Sequence, residues 1–203
     1  VFPMCNFTDS FDNKGRIWAP KSGEDHLKLF LRHQLPWQTM QPIWRKAFVQ
    51  EVGGFDPELP RFQDVDLHTR ALLKPEVRYR VSDLVEPDCF YRIFPLEQRS
   101  DYKFMMRWTL GAETYLRKTT QRIKQGPEAI SASLLLNLRV TLIATVGHLF
   151  AQYDCGNITK LEREKLLRIL EREVVSTLLD SHSSRTLFYL YRLLYRLEVI
   201  FLG

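Results

Sequence analysis

The stretch VGGFDPELPRFQDVDLHTR, residues 52–70, brings a double glycine, two prolines and four acidic side chains into nineteen positions. Gly53 and Gly54 allow backbone angles that other residues avoid. Pro57 and Pro60 then keep the following residues from continuing as helix or strand. Segments with helical periodicity stand on either side. A polar loop held between regular elements is where chemistry tends to sit.

Working outward, the segment before the loop predicts a helix from near Pro42 to Val52, with Ile43, Trp44, Ala47, Phe48 and Val52 at helical spacing. Gly53 and Gly54 end it. An earlier helix is expected from Gly23 to Leu35, closed by Pro36, and a later one over Val65–Leu73, closed by Pro75. Residues 1–20 read as strand, turn and strand. Val77–Val81 alternates with period two and predicts another strand; Glu86–Phe94 is a weaker one, interrupted by Pro87.

From Ser100 the character changes. A long helix is expected over Ser100–Gln125 and a strongly apolar one over Glu128–Tyr153. Thr159 and Glu162 form a capping-box pattern opening an amphipathic helix to about Leu179. Arg185–Phe201 predicts a last helix, on which Arg185, Arg192 and Arg196 fall within about 40° of each other. That narrow basic stripe suits either a membrane interface or a helix packed among neighbours. The class is therefore α+β and predominantly helical, with a mixed region at 1–98 and a helical region at 99–203.

Composition bounds the partners. The chain has 203 residues, 45% hydrophobic and 26% charged, enough for a substantial core. No apolar run reaches the roughly 18 residues a membrane span needs, and no signal peptide opens the chain. Three separated cysteines, Cys5, Cys89 and Cys155, argue for reduced, buried thiols in a cytoplasmic protein, not for a disulfide framework or a zinc site. The net charge of +5 lies wholly in residues 101–203, with 15 basic against 10 acidic side chains. No recognised nucleic-acid motif accompanies it, which disfavours a nucleic-acid partner.

Asp64, Asp66 and His68 place three metal-ligand-type residues within five positions. On a helix, however, Asp64 and His68 share a face while Asp66 points roughly 200° from Asp64. One ion cannot take all three, so the segment is assigned no metal. Asp64 alone is a candidate general base, because helix N–H groups and the helix dipole favour an ionised carboxylate there. A plain helix cap is the alternative.

The order of Trp44-Arg45-Lys46, Phe48, Val52-Gly53-Gly54-Phe55-Asp56, Leu59, Gln63-Asp64-Val65-Asp66-Leu67 and Arg70, followed by Phe90-Tyr91-Arg92, resembles the second half of a family 2 glycosyltransferase with the GT-A fold. The resemblance covers roughly residues 1–95. It implies a partial GT-A type α/β domain. It also implies inverting transfer of a sugar from a nucleotide-diphosphate sugar to an acceptor hydroxyl, in polysaccharide or glycan biosynthesis.

Under that resemblance Asp64 is the general base. Gly53, Gly54, Phe55, Gln63 and Asp66 line the substrate, and Trp44 either stacks on a sugar face or packs in the core. Gln63 stands where glutamate is commoner. The resemblance further implies a divalent cation, magnesium or manganese, held by a D-x-D motif in a nucleotide-binding half that should precede these residues. The chain alone is then expected to be inactive. The helical region is expected to serve association, as a homo-oligomer or at the inner face of a membrane bearing a lipid-linked acceptor. A helical interaction module without catalysis is the rival reading.

Overall fold

The computed structural model describes residues 1, 4–7, 14–83, 86–87, 89–92, 101–179, 185–186 and 188–189. The chain is α+β and predominantly helical. It divides into two compact units, Val1–Asp56 with Gln63–Gln98, and Pro57–Phe62 with Arg99–Gly203.

In the first unit β1 (Met4–Phe7), β2 (Lys14–Trp18) and β3 (Cys89–Arg92) form a sheet in the order β2-β1-β3. β1 runs antiparallel to β2, pairing Met4 with Trp18, and parallel to β3, pairing Met4 with Cys89. The connection after β2 is pinned by side chains. Trp18 Nε1 donates to the Pro36 carbonyl at 3.0 Å, and Gln41 Nε2 donates to the Trp18 carbonyl at 3.0 Å. Helices α1 (His26–Leu31), α2 (Lys46–Val52) and α3 (Gln63–Leu73) complete the unit. Phe30, Leu31, Trp37, Val65 and Leu67 are buried in it.

Local chemistry explains where these helices start and stop. Asp25 caps α1, its carboxylate accepting from the Lys28 N–H at 3.1 Å. The helix ends at Leu31, short of the expected Leu35, because His33 turns left-handed at φ 56°. α2 begins at Lys46 and not near Pro42. Trp44 lies on the extended segment before it and stacks on His68, so tertiary packing outweighs helical spacing there. Gly53, at φ 93°, ends α2, and the Gly54 N–H donates back to the Val49 carbonyl at 2.9 Å.

Val77–Val81 is not a strand: its period-two pattern stays outside the sheet, the Val77 N–H donates back to the Lys74 carbonyl at 3.3 Å, and just past the segment the Ser82 N–H donates to the Val1 carbonyl at 2.8 Å. The weaker candidate is a strand, reduced to Cys89–Arg92; Phe94 lies outside the described residues. The thiols also differ from expectation. Cys155 is exposed and Cys89 half-buried; the Cys5 side chain lies outside what is described.

The second unit is built on α4 (Tyr102–Lys124), α5 (Glu128–Asp154) and α6 (Lys160–Leu170), followed by a π-helical turn over Glu171–Val175 and α7 (Ser176–Leu178). Asp101 caps α4 through the Phe104 N–H at 2.7 Å. The capping box at Thr159 and Glu162 is present in full. Tyr115, Leu116, Leu138, Leu142, Val146, Leu149, Leu166 and Leu170 form the buried seam. Ile130–Asp154 is long and apolar enough to cross a membrane by length and composition, which corrects the sequence reading; half of its apolar window is buried, as in the central helix of a bundle. Most of Arg185–Phe201 lies outside the described residues.

Residues 57–62, the middle of the loop, pack with this helical unit. Gly111 on α4 is where they touch: a Cβ there would meet Arg61 Cβ at 2.6 Å. The Arg61 guanidinium lies over the Phe104 ring at 4.5 Å, and Phe62 stacks on Tyr115 at 5.7 Å.

Candidate functional site

The two glycines set the turn, and Arg70 fixes it. From the last part of α3 its Nε donates to Asp66 Oδ2 at 2.7 Å. Its Nη1 donates to the Val52 carbonyl, and its Nη2 to the Gly54 carbonyl at 2.5 Å. One rigid fork thus ties the end of α2 to α3 through a charge-assisted pair. Asp66 is fully buried and Arg70 only 13% exposed at its side chain. The resemblance counts Asp66 with the substrate-binding residues; its carboxylate faces inward and holds Arg70.

Asp64 is placed differently. It sits in the first turn of α3, half-buried. Its Oδ1 accepts from the Val65 N–H at 2.9 Å, and its Oδ2 accepts from the Thr39 hydroxyl at 3.3 Å. The helix begins at Gln63, so Asp64 lies within it and is not its flanking cap. Gln63 is half-buried beside it, and Phe55, past the glycine turn, is 54% exposed. Asp64 and Asp66 diverge, as helical geometry requires. Among the described residues no group of three or more His, Cys, Asp or Glu side chains is placed to hold a metal ion.

One turn along α3 from Asp64, His68 is buried within a cluster of rings. Phe30 stacks on it at 5.0 Å and Trp44 at 5.5 Å, while Trp37 meets it edge-on at 5.8 Å. Neither imidazole nitrogen has a hydrogen-bond partner within normal geometry, and neither does Trp37 Nε1. Burial pushes the ring down to about 4, outweighing the charge and main-chain carbonyl of Asp64, which favour the cation. His68 is thus neutral at pH 7.

The cluster forms part of a cleft of about 1060 Å³ within the first unit. Trp44, Phe48 and Tyr79 supply aromatic surface, and Arg45 and Arg78 reach the same cleft. Its size suits a small ligand. Sequence reasoning singled out Trp44 but not Trp37, Thr39 or Tyr79, since nothing in their local spacing links them to α3. Arg70 carried one usable signal, its i+4 position after Asp66.

Compared with known proteins, the chain matches no protein-family model, no curated protein and no solved structure.

Proposed function

We propose that this chain is the acceptor-side part of an inverting glycosyltransferase with a GT-A type architecture. The observation that carries the reading is Asp64. It is a half-buried carboxylate at a helix N-terminus, oriented by the Val65 N–H and the Thr39 hydroxyl, with a glycine turn at the other end of the loop that precedes it.

In the proposed step the Asp64 carboxylate removes the proton of an acceptor hydroxyl. The acceptor oxygen attacks the anomeric carbon of a nucleotide-diphosphate sugar. The anomeric carbon–oxygen bond to the diphosphate breaks, its electron pair leaves with the nucleoside diphosphate, and the anomeric centre inverts. The arrangement of α2, the glycine turn and α3 keeps the base fixed, with Arg70 as the brace. The reading extends to glycan synthesis on the cytoplasmic side of a membrane.

The test is sugar transfer by the full-length protein. Asp64→Asn keeps the Thr39 contact and removes the base, so turnover should fall by about 10²–10⁴-fold with the fold intact. Unchanged turnover would remove Asp64 from that role.

A second reading, association through the helical unit without catalysis, is favoured by one observation. Leu136, Val140 and Ile143 are exposed along one side of α5. Sedimentation separates the two: Leu136→Glu should lower the oligomer mass if that stripe joins two copies, and should leave it unchanged if it does not.

A further inference from the structure

Resting on the glycosyltransferase reading, the geometry points to the aromatic cleft of the first unit as the binding site for a saccharide that carries a carboxylate or phosphate group. Two features of the cleft set that chemistry. Aromatic rings, Trp44, Phe48 and Tyr79, line it, and Tyr79 is 47% exposed; such rings take the C–H faces of a sugar and leave its hydroxyls to polar groups.

Charge supplies the second feature. Of the four cationic side chains at the cleft, Lys74 pairs with Glu51 at 3.0 Å and Arg80 with Asp83 at 2.7 Å. Arg45 and Arg78 are exposed and have no carboxylate within salt-bridge distance among the described residues. Glu76 lines the cleft as well, so its side chains carry four positive against three negative charges; that excess, with two unpaired guanidiniums beside an aromatic wall, favours an anionic ligand over its neutral counterpart.

The experiment titrates the 203-residue chain, following tryptophan fluorescence. The probes are digalacturonate, glucose 1-phosphate, their uncharged counterparts galactobiose and glucose, and inorganic phosphate. At least one charged sugar should bind about three- to tenfold more tightly than its neutral counterpart, the gain expected of one or two exposed charge pairs. Which sugar shows the gain identifies carboxylate or phosphate as the group recognised. The Arg45→Ser, Arg78→Ser double variant should erase the preference while keeping sugar binding. Equal affinity for neutral sugars, phosphate alone binding as tightly as glucose 1-phosphate, or a preference that survives the double variant would each overturn the assignment. Transfer assays on the full-length protein keep the two proposals separate. Transfer to neutral and acidic acceptors alike sinks the specificity and leaves the transferase. Acidic-sugar binding without transfer sinks the transferase and leaves the site.

Discussion

Replacing Arg70 by alanine tests how the candidate site is held together. Asp66 has no solvent exposure and Arg70 only 13%, so the pair is a buried ion pair with 2.7 Å geometry. Removing one partner of such a pair costs about 3–5 kcal/mol, because the other charge stays buried without compensation. Arg70 also serves the Val52 and Gly54 carbonyls. The loss should therefore fall in the upper part of that range and loosen the glycine turn. Arg70→Lys keeps the charge but cannot fork, and should lie between wild type and Arg70→Ala. Joint replacement, Arg70→Met with Asp66→Leu, removes the uncompensated charge and should recover most of the stability. Urea unfolding followed by tryptophan fluorescence suits the measurement, since Trp18, Trp37 and Trp44 all belong to the first unit. An Arg70→Ala cost below about 1 kcal/mol, the range of an exposed pair, refutes the argument. So does a double variant no more stable than the single one.

Other outcomes follow from the same packing. His68 titrates at about 4 in the folded chain against an ordinary 6.5, so between those values the unfolded state binds a proton that the native state does not. Its contribution is fully present above pH 6.5 and is lost as pH falls through the folded value, by about 3 kcal/mol at most. His68→Phe should flatten that part of the urea-midpoint profile between pH 7 and pH 4; an unchanged slope removes His68 as its source. Gly111→Ala drives a methyl to 2.6 Å from Arg61 Cβ and should cost about 1–3 kcal/mol by overpacking, read from thermal unfolding. Thr159→Ala removes the cap on α6 and should cost about 1 kcal/mol by the same measurement. A neutral result at either position refutes the corresponding contact.

The sequence by itself determined the features that depend on neighbours along the chain. The capping box at Thr159, the glycine stop after Val52 and the strongly apolar helix α5 all appear where the local sequence places them. Helical spacing alone also separated Asp64 from Asp66, because a turn of 3.6 residues cannot aim both at one point. Tertiary structure decided the rest. The segment 77–81 has a strand's alternation, but alternation specifies a face, not a pairing partner, and it stays outside the sheet. Pro42–Arg45 has helical spacing, yet it is extended where Trp44 packs on His68. In residues 52–70 the sequence supplied the glycines and the carboxylates. Only the fold, by bringing Arg70 to Val52 and Gly54 and Thr39 to Asp64, made Asp66 a brace and Asp64 the candidate base.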